Sequence, residues 1–131
     1  MLLDTSGLLC CFDADDARHV QAVDFYTAAT LRLTHNYVSA EFVALAQARR
    51  LRRDESLAFA GDVLADPEIE VIWVDMDIHE SAMQVLRAQP DKAYSLCDAV
   101  SFVLMQKRHI TDALTTDRHF EQAGFARLLP P

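Results

Sequence analysis

The chain has 131 residues, of which 51% are hydrophobic and 24% are charged. This composition is typical of a folded domain and excludes a disordered or fibrous chain. The net charge of −8 argues against a protein that grips nucleic acid through a broad basic face, but it is compatible with acids gathered around a divalent cation. No apolar run approaches the ~18 residues of a membrane helix, and Met1 leads straight into a predicted strand. We therefore expect no signal peptide, no membrane association and a cytoplasmic location.

The alternation of apolar and amphipathic segments predicts five strands: Leu2–Thr5, Leu31–Thr34, Glu68–Val74, Ala113–Thr116 and Phe125–Leu128. A short helix follows the first strand, and the other predicted helices are Asp15–Ala29, Tyr37–Arg53, Glu55–Ala65, Ile78–Gln89, Leu96–Arg108 and His119–Ala123. No repeat or Pro/Gly-rich linker divides the chain, so residues 1–131 are expected to form a single domain. Alternating strands and helices predict a parallel sheet covered on both faces, which is a three-layer α/β/α architecture.

The cysteine and histidine patterns indicate no disulfide framework and no zinc motif. Cys10, Cys11 and Cys97 form no CxxC pair and are an odd number, which favours reduced thiols in the core. The five histidines form no HxH or HExxH pair, so a zinc site is not expected.

Four acids are predicted to meet at one edge of the sheet. Asp4 ends the first strand, and Asp117 follows the apolar strand in ALTTDRHF. Glu41 lies in the early turns of the helix in NYVSAEFVAL, with Asn36 as the expected N-cap, and Asp98 lies in the first turn of the helix in SLCDAVSFVLM. In a parallel sheet, strands end and helices begin at the carboxyl edge, where ligands bind.

Each acid also has a structural explanation. Asp98 completes a Ser-x-x-Asp capping box with Ser95, and Asp117 could be the N-cap of the next helix. Glu41 could be a surface glutamate beside an apolar stripe. Asp4 is the hardest to explain in this way, because the end of a buried strand desolvates its charge. Taken together, the four favour a carboxylate cluster that needs a cation.

The segments LLDTSGL, NYVSAEFVALAQ, DKAYSLCDAVSFVLM and ALTTDRHFEQAGF resemble the PIN domains, and among them the VapC-type toxins of bacterial toxin–antitoxin pairs. The resemblance spans nearly the whole chain and includes the D-x-x-F ending from Asp117 to Phe120. It implies a sheet of strand order 3-2-1-4-5 and a metal-dependent endoribonuclease. It also implies the acidic quartet Asp4, Glu41, Asp98 and Asp117, with the hydroxyl of Ser6 after the first acid. The implied partners are an RNA substrate, a second copy in a homodimer and a VapB-type antitoxin.

An all-oxygen site of this kind suits Mg²⁺ or Mn²⁺. Within the implied quartet, Asp4 and Asp98 are the firmest expected ligands, and Asp117 is a ligand directly or through water. Glu41 either binds a second ion or orients the attacking water, and Ser6 supports the ligands from behind. The sequence leaves the choice between one ion and two open.

Other charged residues have less specific expected roles. Asp75 and Asp77 are interpreted as turn and cap residues, and Asp112 is placed on the opposite rim. For His119, packing or solvent exposure is favoured over a role as general acid. The arginines of RRLRR (Arg49, Arg50, Arg52 and Arg53) either complement a helix C-terminus or contact phosphates.

Three rival classes can be weighed against the nuclease. A phosphoacceptor receiver domain needs an acid pair after the first strand, a phosphorylatable aspartate at the end of the third strand and a lysine after a late strand. Asp75 fits the second of these demands. Asp4 stands alone, and Lys92 and Lys107 fit no such place. A haloacid-type phosphatase needs D-x-D where this chain has Asp4-Thr5-Ser6. An inactive PIN-like binding module is disfavoured because the quartet is complete.

Overall fold

Parallel strands alternate with helices along the chain, as the sequence pattern predicts. The computed structural model describes residues 1–131. Its strands are Leu2–Leu3 (β1), Arg32–His35 (β2), Ile69–Ile72 (β3), Asp112–Leu114 (β4) and Ala126–Arg127 (β5). Its helices are Thr5–Phe12 (α1), His19–Ala28 (α2), Asn36–Ala48 (α3), Arg53–Ala65 (α4), Met76–Ala88 (α5), Leu96–Arg108 (α6) and Arg118–Gln122 (α7).

The strand order in the sheet is β3-β2-β1-β4-β5, which confirms the order 3-2-1-4-5. Every neighbouring pair is parallel, and β1 lies at the centre between β2 and β4. Its register pairs Leu2 with Leu33 on one side and Leu3 with Leu114 on the other. The strand order reverses at β1, because β2 and β3 lie on one side of it and β4 and β5 on the other. The residue that follows β1 therefore emerges at the switch point where ligands bind.

Two hydrophobic clusters cover the two faces of the sheet and complete the three-layer architecture. Leu2 packs on one face with α5, α6 and α7, whereas Leu3 packs on the other with α1, α2 and α3. This alternation follows from the two-residue period of a strand. Both leucines are fully buried, and burial of each contributes roughly 1.5–3 kcal/mol to folding. None of the helices combines the length and hydrophobicity that a membrane-spanning segment requires.

Helix α1 packs directly against the backbone of β4, and a glycine makes this close approach possible. A Cβ atom added at Gly7 would lie 2.0 Å from the carbonyl oxygen of Leu114. No side chain could be tolerated there without moving the helix or the strand. The contact brings the start of α1, with Ser6, against the residues that follow β4.

The third helix begins and ends differently from the expectation. Its N-cap is His35 rather than Asn36, and the Asn36 side chain instead accepts a 2.7 Å hydrogen bond from the Val74 backbone N–H. It ends at Ala48 rather than Arg53, because Arg50 adopts a left-handed conformation (φ 57°) that breaks the helical repeat. The predicted continuous helix through Arg53 was therefore wrong.

The RRLRR segment consequently forms the connection between α3 and α4 instead of one helix C-terminus. Arg52 and Arg53 lie at the start of α4, and Arg52 makes exposed salt bridges with Asp54 and Glu55. An exposed pair of this kind contributes little to stability. The expectation that all four arginines complement a helix C-terminus is wrong for these two.

Candidate metal centre

The four predicted acids line one open cleft of about 330 Å³ at the carboxyl edge of the sheet. Each comes from a different element: Asp4 follows β1, Glu41 lies in α3, Asp98 lies in α6 and Asp117 follows β4. The remaining lining residues are Ser6, Leu45, Ser95, Thr116 and His119. No lysine or arginine lines the cleft, so the acids have no fixed cation of the protein beside them.

Asp4 is the most deeply buried of the four, with 4% of its surface exposed. Its Oδ2 accepts hydrogen bonds from the hydroxyls of Thr115, at 2.7 Å, and Ser6, at 3.3 Å. Its Oδ1 is buried and has no hydrogen-bond partner. A buried carboxylate oxygen without a partner is unfavourable unless a proton or a cation satisfies it.

Burial is the main reason that the pKa of Asp4 is raised from 3.8 to about 7, and the charges of Asp98 and Glu41 raise it further. The hydrogen bond from Thr115 acts in the opposite direction. Without a cation, this carboxyl group therefore keeps its proton to a much higher pH than an exposed aspartate does, as expected for a buried carboxylate. A bound divalent ion would displace that proton.

Asp98 forms the capping box that its sequence position predicts. Its Oδ2 accepts the backbone N–H of Ser95 at 3.0 Å, and the Ser95 hydroxyl accepts the backbone N–H of Asp98 at 3.0 Å. Nδ1 of His119 lies 2.9 Å from the same Oδ2. These contacts occupy Oδ2 and leave Oδ1 free, so capping and ligand binding are compatible. Burial raises the pKa of Asp98, against the opposing effects of the Ser95 N–H and His119.

Asp117 is the N-cap of α7, also as its position predicts. Its Oδ1 accepts the backbone N–H of His119 at 2.9 Å, and its own N–H donates to the Thr115 hydroxyl at 3.0 Å. Its side chain is 35% exposed, so it forms the open side of the cleft. Glu41 is half-buried, and its carboxylate makes no hydrogen bond within the protein.

The donor atoms divide into two groups of three. One contains Asp4, Glu41 and Cys97, and the other contains Asp98, Asp117 and His119. Within each group, one donor atom from each residue lies within 4.8 Å of the others, which is close enough for them to share an ion after small rotations. Each group therefore combines two quartet carboxylates with one sulfur or nitrogen donor.

Three neighbours of the quartet were not assigned to the site from the sequence: Thr115, Cys97 and His119. Thr115 could have been found from the register, because it follows the pairing of Leu3 with Leu114 and so lies beside Asp4. His119 does more than pack or face solvent, since it contacts both Asp98 and Asp117. Burial, with the charges of Glu41 and Asp4, raises the pKa of the Cys97 thiol well above its usual range.

Ser6 lies where it was predicted to lie, next to the first acid. Besides its bond to Asp4, its oxygen lies 3.0 Å from the Thr115 hydroxyl and accepts the Thr116 N–H at 3.0 Å.

The competing acids lie elsewhere: Asp75 caps α5 by accepting the Ile78 N–H at 2.9 Å, and Asp112 begins β4 at the opposite edge. The cap role expected for Asp75 is confirmed.

The sequence profile of the PIN domain matches residues 1–126. The chain therefore belongs to the PIN-domain family, and its fold and acidic cleft agree with that membership. It is similar to the 23S rRNA-specific endonuclease VapC20 of Mycobacterium tuberculosis. The sequence identity is 30% to VapC20 from each of two strains. That alignment covers 99% of this chain and 98% of the relative. The crystal structure of VapC20, described as a sarcin–ricin loop cleaving toxin, superposes with a TM-score of 0.88 over 98% of both chains. The chain is thus a VapC-type PIN protein.

Proposed function

We propose that this protein is the endoribonuclease toxin of a toxin–antitoxin pair, and that it hydrolyses RNA phosphodiester bonds at Asp4, Glu41, Asp98 and Asp117. The observation that carries the proposal is the unpartnered, buried Oδ1 of Asp4 in a cleft that it shares with three other acids. We also propose that residues 1–131 form one domain, since both hydrophobic clusters pack against the same five-stranded sheet.

The residues present fit a divalent ion such as Mg²⁺ or Mn²⁺. Four carboxylates offer the oxygen donors that these hard ions prefer, and the free oxygens of Asp4 and Asp98 are available as ligands. Asp117 and Glu41 would complete the set, directly or through water. When bound, such an ion supplies positive charge that polarises the scissile phosphate and makes a water molecule more acidic.

The side chains of the protein orient the reacting groups. Thr115 and Ser6 fix Oδ2 of Asp4, and Ser95 and His119 fix Oδ2 of Asp98, so that the other oxygen of each carboxylate points away from these donors. Glu41 makes no hydrogen bond within the protein, which leaves its carboxylate free to orient the attacking water and to accept its proton.

The substrate class is RNA, and the similar VapC20 makes a sarcin–ricin loop of 23S rRNA the first substrate to test. The test incubates the purified protein and Mn²⁺ with a synthetic hairpin of that loop. We expect cleavage that EDTA abolishes and that Asp98→Asn reduces by a factor of ~100 or more. The matched control Asp112→Asn, on the opposite edge, should cleave as the wild type does. Undiminished cleavage by Asp98→Asn would refute the assignment of the site.

We further propose that the protein forms a homodimer and is neutralised by a VapB-type antitoxin. Membership of the VapC-type proteins supports both partners, and the acid-lined cleft supports a basic antitoxin segment. An arginine fork could pair with two of the carboxylates. Light scattering at micromolar concentration tests the dimer, and a strictly monomeric protein would contradict it. The antitoxin contact is tested with two peptides of the antitoxin segment, which carry either arginine or alanine at the residue that would pair with the carboxylates.

A further inference from the structure

One buried thiol lies close to two acids of the cleft, without lining it, and has no part in the proposed reaction. Cys97 directly precedes Asp98 at the start of α6, and 7% of its surface is exposed. Its Sγ and one oxygen each of Asp4 and Glu41 lie within 4.8 Å of one another. Cys10 and Cys11, in α1, lie outside this group.

Asp4, one member of this three-residue group, carries an oxygen that has no partner. Asp4 is more than nine-tenths buried, and its Oδ1 accepts no hydrogen bond from the protein. This oxygen distinguishes the group from an ordinary cluster of surface acids, because a buried carboxylate without a donor requires a proton or a cation. The group thus offers one sulfur and two carboxylate donors from three separate elements.

We propose that Asp4, Glu41 and Cys97 form a mixed sulfur–oxygen site that binds a thiophilic divalent cation, Zn²⁺ or Cd²⁺. Thiolates and carboxylates are both ordinary zinc ligands, and three protein ligands plus one water complete its tetrahedral shell. Mg²⁺ accepts oxygen ligands and leaves the thiol unbound. Zn²⁺ also binds a given set of donors more tightly than Mn²⁺ does. On binding, the S–H bond breaks, its proton passes to solvent and an Sγ–metal bond forms, with no change of oxidation state.

Binding of this cation inhibits the nuclease, a consequence that rests on the proposed function. Zn²⁺ at this site engages Asp4 and Glu41, which are two of the four quartet carboxylates. The sequence gave no sign of such a site, because it contains no HxH or HExxH pair. Its three residues are far apart in sequence and meet only through the fold.

The direct test is the ultraviolet absorption of a cadmium–thiolate bond, measured on the reduced full-length protein titrated with Cd²⁺. We expect one such bond per chain in the wild type and in the matched control Cys11→Ser, and none in Cys97→Ser. Glu41→Gln keeps the thiol but removes one carboxylate, so the affinity for Cd²⁺ should fall by about ten-fold or more. Glu55→Gln, on the exposed face of α4, should bind as the wild type does.

Absorption that survives Cys97→Ser, or that disappears in Cys11→Ser, would overturn the proposal. If circular dichroism shows that Cys97→Ser is unfolded, Cys97→Ala and the affinity of Glu41→Gln decide instead.

In a second arm, Zn²⁺ is titrated into RNA cleavage supported by Mn²⁺. The Zn²⁺ concentration for half-inhibition should rise by at least about ten-fold in Cys97→Ser, and an unchanged value would overturn the inhibitory role. A wild type that cleaves no RNA would refute the proposed function alone, because the cadmium absorption does not depend on cleavage.

Discussion

The hydroxyl of Thr115 donates a 2.7 Å hydrogen bond to Oδ2 of Asp4, and the two residues lie 111 positions apart in the sequence. The same hydroxyl accepts the backbone N–H of Asp117 at 3.0 Å. One side chain therefore sets the position of two quartet acids, from neighbouring strands β1 and β4. Thr115 is itself fully buried, so its geometry is fixed by packing.

We predict that Thr115→Val weakens metal binding more than it weakens the fold. Valine keeps the shape of threonine but removes the donor to Asp4 and the acceptor for Asp117. Loss of a residue that orients metal ligands typically lowers metal affinity by ~10–100-fold. Calorimetric titration with Mn²⁺ measures the change. Thr111→Val, at an exposed threonine, is the matched control, and equal Mn²⁺ affinity in both variants would exclude the positioning role.

We predict that Asp4→Asn stabilises the protein in EDTA at pH above the pKa of Asp4. The folded-state pKa of about 7 lies above 3.8, so the folded state binds more protons between these values. Stability is consequently lost as pH rises through this window, by roughly 4 kcal/mol in total. Asparagine has no such dependence, so the advantage of the variant should grow from about pH 4 to about pH 7 and then level off. Urea unfolding across that range measures it, and a variant less stable than the wild type throughout would contradict the prediction.

We predict that Mg²⁺ raises the melting temperature of the wild type, and more strongly above the pKa of Asp4 than below it. The ion binds the folded, deprotonated cluster and must displace the Asp4 proton at lower pH. Thermal melts with Mg²⁺ and with EDTA at matched ionic strength give the difference. Asp4→Asn should show little response, and a gain independent of pH would mean that the ion binds elsewhere.

We predict that His35→Asn removes an acid-sensitive contribution to stability. His35 is fully buried, its Nε2 lies 2.8 Å from the Ser101 hydroxyl, and burial lowers its pKa to about 4. The neutral ring thus stabilises the fold above pH 6.5, and this stability is lost as pH falls toward 4, by about 3 kcal/mol. The variant should be less stable at neutral pH, by ~1–3 kcal/mol, because Ser101 loses its partner. The deficit should shrink in acid, and a deficit that does not change with pH would contradict the prediction.

We predict opposite effects of the same substitution at two glycines. Gly7→Ala should destabilise the protein or displace α1, because the added Cβ meets the Leu114 carbonyl oxygen. Gly61→Ala, in α4, meets nothing within 4 Å and should stabilise by about 0.5–1 kcal/mol through helix propensity. Urea unfolding of both variants checks the signs. A stable Gly7→Ala with full Mn²⁺ affinity would show that the close packing of α1 on β4 is not required.

The three-layer fold and the placement of the acids at one edge could be predicted from local pattern, whereas the strand order 3-2-1-4-5 was implied by the resemblance to the PIN domains. Apolar runs marked the strands, and the rule that strands end at one edge placed Asp4 and Asp117 at the same edge. The bend at Arg50 could not be predicted, since nothing in RRLRR signals a left-handed residue. The role of His119 was also out of reach, because its contact with Asp98 depends on how α7 packs on α6.

The four acids come from four separate elements of the chain, and no two of them are neighbours in sequence. The proposed hydrolytic centre is distributed over these elements, so no fragment of the polypeptide contains it. Sheet pairing between distant segments is slow, since loop closure precedes the contacts that reward it. Partly folded chains, and chains cleaved between α3 and α6, should therefore be harmless to RNA even when much of their secondary structure has formed. We therefore expect RNA cleavage to begin only when the tertiary fold is complete.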